Sequence, residues 1–212
     1  MNGSDCLLVI SHPDDDAIFA GALQAYLSAA RWSVVCATYT ADDDRGRELL
    51  AWQRAQGTDP SRIHFLGFLD DREDRERQRC SFEEGLADAL TRLRLQPSLI
   101  VTHNARGEYE HPHHIATHGA ALKSYPDAAC LAFGFGVCKA DLSLPSPGKR
   151  AEVTRYYPSQ AASIRRTARS TERFVWLRRP QPPIRPDDAP LFEQLRALEA
   201  DASSGQRRQR RD

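Results

Sequence analysis

The chain lacks several features that would assign it to a common class. No apolar run is long enough to cross a bilayer. The N-terminus has no basic n-region and no signal-like apolar segment. Neither charge sign is in excess, since Lys and Arg total 29 and Asp and Glu total 29. The net charge therefore gives no general attraction to nucleic acid or to an anionic membrane. No GxGxxG follows the first apolar run and there is no Walker A loop, so the nucleotide-binding versions of an α/β fold lose support. There is no internal repeat. Cysteine is sparse and odd in number, and Cys6, Cys36, Cys80, Cys130 and Cys138 match no zinc or redox spacing. Cys6, Cys36 and Cys130 lie in strand-like runs, where a thiol behaves as a small core residue. These absences read as a cytoplasmic chain with reduced thiols.

What is present fits one domain with a real core. Leu7 to Ser11 reads as a buried strand, and Ala17 to Ala29 carries apolar residues at helical spacing. A second strand, Ser33 to Thr40, precedes an acidic loop or helix start at Asp42, Asp43 and Asp44. A helix from Arg47 to Gln56 ends at Gly57. Further strands are expected at Ile63 to Leu66, Leu99 to Thr102 and Ala129 to Phe135. Helices are expected from Ser81, as N-cap, to Leu93, and through His118 and Leu122. Strands alternating with helices define an α/β class: a Rossmann-like, mainly parallel sheet of about five or more strands flanked by helices. Residues 1–180 form the domain. Residues 181–212 read as a Pro-rich extended segment, a short helix marked by Leu191, Leu195 and Leu198, and a frayed basic tail. The dense charge run Asp70 to Arg79 reads as solvated surface.

The chemistry concentrates in two places. The first strand runs into Ser11-His12-Pro13-Asp14-Asp15-Asp16, and in an open parallel sheet ligands bind at the strands' carboxyl ends. His12 and Asp15, three apart on a turn stiffened by Pro13, can reach one cation. Catalytic zinc takes three protein ligands and keeps one position open, so a third must come from elsewhere. Glu110-His111-Pro112-His113-His114, with His118 beyond, follows the fourth strand and can supply it. Either His114 alone completes the site with His111 facing substrate, or His114 and His118 both ligate from one helical face. Asp14 is placed to take and return a proton. Asp16 either caps the following helix or serves the site. Asp42 to Asp44 read as a solvated helix start that also follows a strand.

These residues resemble the PIG-L/LmbE-like zinc de-N-acetylases, which act on N-acetylglucosamine-containing glycoconjugates. The first family motif, (A/P)-H-P-D-D-E, is matched by Ser11 to Asp16, and the second, Y-G-H-P-D-H-like, by Tyr109 to His114. A Y-x-S-Q-like segment and an E-x-F are matched by Tyr157 to Gln160 and Glu172 to Phe174, so the likeness covers about residues 5 to 178. The resemblance implies one divalent ion, usually zinc, held by His12, Asp15 and His114. It implies Asp14 as general base, His111 polarising the amide carbonyl, Tyr109 assisting at the site mouth and Arg47 contacting substrate. The chain departs from the pattern twice. Asp16 stands for the usual glutamate, and His113 for an aspartate or asparagine that would support a neighbouring imidazolium.

The expected function is removal of an acetyl group from an N-acetylated amino sugar by a metal-activated water, with no nucleic-acid partner and no membrane span. A metal-dependent phosphoesterase is a second reading, but no further ligands or basic residues follow a strand end for a second metal or a phosphate. A non-catalytic sugar-binding relative is the third, although such a chain would be expected to lose Asp14 or a ligand. The aromatic and basic residues from Arg165 to Trp176 are candidates for shaping the choice of acceptor.

Overall fold

The structure is a computed structural model that describes residues 4–71 and 75–208. Strand β1 (Asp5–Ile10) leads through a tight turn to α1 (Asp15–Phe19) and α2 (Gly21–Tyr26). There follow β2 (Arg31–Thr38), α3 (Asp44–Ala55), β3 (Ile63–Phe68), α4 (Arg75–Arg92) and β4 (Leu99–Thr102). A short, kinked α5 (Gly107–Glu110) precedes α6 (Pro112–Ser124) and β5 (Ala129–Phe133). The chain closes with β6 (Leu142–Pro145), α7 (Lys149–Tyr156), α8 (Ala161–Thr167), β7 (Thr171–Arg178) and α9 (Ala189–Arg208).

One seven-stranded sheet has the order β3-β2-β1-β4-β5-β7-β6. The first five strands of that order are parallel, and β7 runs antiparallel to both β5 and β6. Along β1, Cys6, Leu8 and Ile10 enter one buried cluster with Leu23, Leu49, Phe133 and Phe174. Leu7 and Val9 enter the other, with Leu86, Leu90 and Ala120 from α4 and α6. This is the period-two alternation of a sheet covered on both faces. The strand order reverses between β1 and β4, and a crevice opens outside their carboxyl ends at such a switch point.

The α/β class and mainly parallel sheet agree with the sequence reading, and four differences have local causes. The helix expected over Ala17 to Ala29 is two helices with a break at Ala20. There the Glu172 carboxylate, from β7, accepts the backbone N–H groups of Ala22 and Leu23 at 2.7 and 3.2 Å. Ser81 is inside α4 rather than its cap, and its hydroxyl donates to the Gln78 carbonyl. Strands β6 and β7 were not expected: β7 pairs antiparallel along the β5 edge, and β6 pairs antiparallel along β7. The last helix continues to Arg208, past the point where fraying was expected. Residues 209–212 and 72–74, the latter in the Asp70 to Arg79 run, lie outside the described residues.

Residues after 180 are tied to the sheet. Ser98 Oγ donates to Asp188 Oδ1 at 2.6 Å, and Leu191, Phe192, Leu195 and Leu198 are buried in the main cluster. Among the described residues, no helix is long and apolar enough to cross a membrane.

Candidate metal centre

The turn after β1 is shaped to present side chains rather than to continue the chain. Asp14 has φ 112°, in the left-handed region that costs an L-residue about 1–3 kcal/mol. Its carbonyl accepts the Ile18 N–H at 2.9 Å as α1 begins. Asp15 Oδ2 accepts the backbone N–H of His12 at 2.8 Å, closing the turn on itself. From across the switch point, α6 brings His114 into the same space.

His12 Nδ1 lies 3.2 Å from His114 Nε2 and 3.4 Å from Asp15 Oδ2, and His114 Nε2 lies 3.5 Å from Asp15 Oδ1. Ligand atoms about 2.0–2.1 Å from a tetrahedral ion sit about 3.3–3.4 Å from one another. The three predicted ligands therefore have the mutual spacing and donor chemistry of a divalent site, and they fit such an ion. All three are buried. Burial, the largest cause, lowers the His114 imidazole, so it stays neutral and able to coordinate.

Two groups of supports escaped sequence reasoning, the His103–Glu108 pair and Asp70. His103, just past β4, is fully buried and accepts the Ser11 N–H on Nε2 at 3.1 Å, which places its own proton on Nδ1. Glu108 Oε2 lies 2.7 Å from that Nδ1 and 2.6 Å from His114 Nδ1, so one carboxylate orients both rings. Against the effect of burial, the two rings hold the Glu108 carboxyl down at about 2. A carboxylate behind a ligating imidazole fixes its tautomer and raises its basicity. Glu108 itself takes φ 61°, a conformation that no propensity argument anticipates. Asp70 is the second omission. It belongs to the run read as solvated surface, yet its side chain is 5% exposed, with Oδ1 3.5 Å from His12 Nε2 and 3.6 Å from His113 Nδ1.

His113 does not face solvent. It is 1% exposed and stacks on Phe82 with ring centroids 4.2 Å apart. Its Nδ1 is 3.3 Å from His12 Nε2, so the imidazole in hydrogen-bond reach is His12, not His111. Three trios of ligand atoms lie within metal-binding reach among the described residues: His12, Asp70 and His113; His12, His111 and His114; and Asp15, His103 and His114. His118 joins none of these groups among the described residues; its Nδ1 donates to the His103 carbonyl at 2.9 Å. The reading with two ligands from one helical face is thereby set aside.

A small pocket of about 200 Å³ opens on the cluster, lined by His12, Asp14, Asp15, Tyr109 and His111 among others. Tyr109 is half-exposed at its rim. Burial, with the Asp15 carboxylate adding to it, pushes the Asp14 carboxyl up to about 7 while Arg45 opposes the shift. Arg45 donates to Asp14 Oδ1 at 2.9 Å and to the Pro13 carbonyl at 2.7 Å. Its buried Nε has no hydrogen-bond partner among the described residues. Arg47 does not reach this pocket: it is exposed and bound to Asp42 and Asp44 at the start of α3. Arg45, two residues earlier on the same helix, points inward instead. Asp42 to Asp44 are exposed, and Asp43 accepts the Thr40 N–H, the solvated helix start expected of them.

Asp16 is a structural anchor. It accepts from the Ala17 N–H, from Gln53 Nε2 at 2.6 Å and from Tyr157 Oη at 2.8 Å. The Tyr157 segment is thus bolted to the back of the first motif, and Gln160 reaches the pocket wall.

A model of the PIG-L family, described as GlcNAc-PI de-N-acetylase, matches residues 7–125, more than half of the chain. The chain belongs to the PIG-L family. A 1D-myo-inositol 2-acetamido-2-deoxy-alpha-D-glucopyranoside deacetylase from Salinispora arenicola is 28% identical over 160 residues, 60% of this chain and 52% of the relative. One with the same name from Thermobispora bispora is 29% identical over 76% of this chain and 60% of its own length. The chain therefore spans between half and three-fifths of the curated relatives it matches. Among solved structures, an N,N'-diacetylchitobiose deacetylase from Pyrococcus horikoshii aligns over 84% of this chain and 85% of its own, with a TM-score of 0.59 and 17% identity. That likeness is one of fold.

Proposed function

We propose that this protein is a divalent-metal-dependent hydrolase, with zinc as the ion, that removes the acetyl group from an N-acetylglucosamine-type sugar. The observation that carries the reading is Asp14. It is a carboxylate held by Arg45 in a pocket also lined by His12 and Asp15, behind which His114 lies 3.2 Å from His12 Nδ1. A cation held by His12, Asp15 and His114 would supply Lewis-acid polarisation of the acetamide carbonyl and of a water. Asp14 takes the proton from the attacking water and returns it to the leaving amine. A base pushed up to about 7 is matched to accept and release a proton near neutrality. His111, against the rings of His12 and His114, donates toward the oxygen on which charge develops. Tyr109 assists from the rim. Arg45, which lines the pocket, takes the substrate-contact role assigned by resemblance to Arg47.

A two-metal phosphoesterase gains one observation, the second trio of His12, Asp70 and His113. Both trios use His12, so filling both would consume both of its nitrogens. One ion and one acyl transfer require no such sharing.

The test is acetate release from a panel of N-acetylated sugars by the zinc-loaded protein, with metal analysis. We expect release from at least one N-acetylglucosaminide and none from aryl phosphates. His12→Ala and His114→Ala should lose metal and activity together. Full metal occupancy in either variant would overturn the ligand assignment, and phosphate release without acetate would overturn the reaction.

A further inference from the structure

The hydrolysis proposed for the His12, Asp15 and His114 set leaves Asp70 and His113 without a part in it. Their donor atoms nevertheless converge on the other nitrogen of the same His12 ring. His12 Nε2 lies 3.3 Å from His113 Nδ1 and 3.5 Å from Asp70 Oδ1, and His113 Nδ1 lies 3.6 Å from Asp70 Oδ1. Well-formed hydrogen bonds from nitrogen span about 2.7–3.2 Å, so all three contacts are long for hydrogen bonds. Ligand atoms around one tetrahedral ion sit about 3.3–3.4 Å apart, and this trio has that spacing. Two imidazoles and a carboxylate are also donors that suit zinc.

Each donor is held from outside the trio, as the supports of a metal ligand hold it. Asp70 Oδ2 accepts the Tyr39 hydroxyl at 3.2 Å, while Oδ1 faces the two rings. Tyr39 takes φ 62°, a sparsely populated conformation for an L-residue. Arg45 donates to the same hydroxyl at 3.0 Å and lies 4.6 Å from the Tyr39 ring centroid. The His113 ring lies within 8° of parallel to Phe82. His12 and Asp70 line the small pocket and His113 does not, so the trio stands in the pocket wall.

We infer that His12 Nε2, Asp70 and His113 bind a second divalent cation of zinc-like preference, with the His12 ring bridging it to the ion at Asp15 and His114. The bridge rests on the ligand assignment proposed for the first ion. Ions on the two nitrogens of one imidazole lie across the ring from each other, further apart than the about 3.5–4 Å of hydrolytic two-metal pairs. They cannot clamp one attacking water, so the second ion leaves the one-ion acyl transfer as it is. Filling both nitrogens displaces the last ring proton of His12, so the second ion binds more weakly than the first.

The test is equilibrium dialysis of the full chain against rising zinc, with bound metal measured per chain. The parent chain should pass from one ion to two. His113→Phe, which keeps an aromatic ring beside Phe82, and Asp70→Ala should each stop at one. The bridge is read on the parent chain loaded with copper(II). Two copper ions on one imidazole couple their spins, so the low-temperature EPR signal should rise to the first equivalent and fall as the second binds. Two bound coppers with full, independent signals would overturn the bridge. Two zinc ions in both variants would place the second ion elsewhere and overturn the site. A parent chain that saturates at one ion, lost in His114→Ala and kept in His113→Phe, would overturn this inference and leave the first site standing. One ion lost in His113→Phe and kept in His114→Ala would overturn both assignments, as would a chain that binds none.

Discussion

At the scale of single residues, position is set by hydrogen bonds that cross between elements. Asp14 is held in a left-handed conformation by its own backbone turn and by Arg45. Asp14→Asn keeps that shape but cannot accept a proton as a carboxylate does. We expect it to retain metal and to lose about 10²- to 10⁴-fold in kcat, read by acetate release with metal analysis on the same sample. Near-normal turnover would remove Asp14 as the base, and loss of metal would make it a ligand. Glu108 orients two imidazoles at once, so Glu108→Gln should weaken zinc binding by about 10- to 100-fold in a chelator competition. His113 presents the opposite case. Restoring the usual acid there by His113→Asp would remove the Phe82 stack and set a second carboxylate beside Asp70. The imidazole it would favour in charged form is His12, its near neighbour. The expected result is a lower Tm of the metal-free protein and a weaker site. An unchanged Tm would mean that Asp70 moves away when residue 113 is acidic.

At the scale of elements, the break between α1 and α2 turns on one acidic side chain from the far end of the chain. Glu172 caps α2 and pairs with buried Lys149. Removing one partner of a buried pair leaves an uncompensated charge, at a cost of about 3–5 kcal/mol. Glu172→Ala should therefore lower the unfolding free energy by about that amount in a denaturant titration, and Lys149→Met added to it should recover part of the loss. A change under about 1 kcal/mol would show that Lys149 finds solvent or another acceptor. The last helix divides in the same physical terms. Leu191, Phe192, Leu195 and Leu198 are buried, and Glu199 accepts from the Trp176 indole at 2.7 Å. Beyond them the sequence is polar and Arg-rich. A stop after residue 203 should leave Tm and deacetylation nearly unchanged, whereas Leu195→Ala should cost about 2–5 kcal/mol. A large loss on truncation would mean that the polar end docks.

At the scale of the whole molecule, a bound cation would add to the β1–β4 pairing and the α6 packing that already hold the donor segments together. His12 and Asp15 follow β1, His114 sits on α6, and His103 and Glu108 flank the junction after β4. An ion that binds the native state alone stabilises it by about 2.7 kcal/mol at a hundred times its Kd. Chelation should lower Tm by several degrees, and zinc should restore it. Because His12 must be neutral to coordinate, and Asp15 and Asp70 raise its imidazole against the effect of burial, that restoration should weaken already as pH falls through the ordinary histidine range. A Tm indifferent to chelator in fully loaded protein would exclude a site that couples these segments.

Alternation of apolar runs with helical periods, and His-Pro-Asp-Asp-Asp at the end of the first strand, were enough for the α/β class, the switch-point location and the paired donors His12 and Asp15. Each depends only on neighbours in the chain, where side-chain period and turn chemistry act. The structure alone decided what depends on packing across the sheet. Arg45 rather than Arg47 turns inward because it reaches Asp14 and the Pro13 carbonyl. Asp70 is drawn out of a charged run into the site by His12 and His113. Strand β7 pairs along the open edge of β5 and carries β6 on its other side, and Glu172 arrives with β7 to break the first helix. Such contacts join residues up to 150 positions apart, and local propensity carries no record of a partner that distant.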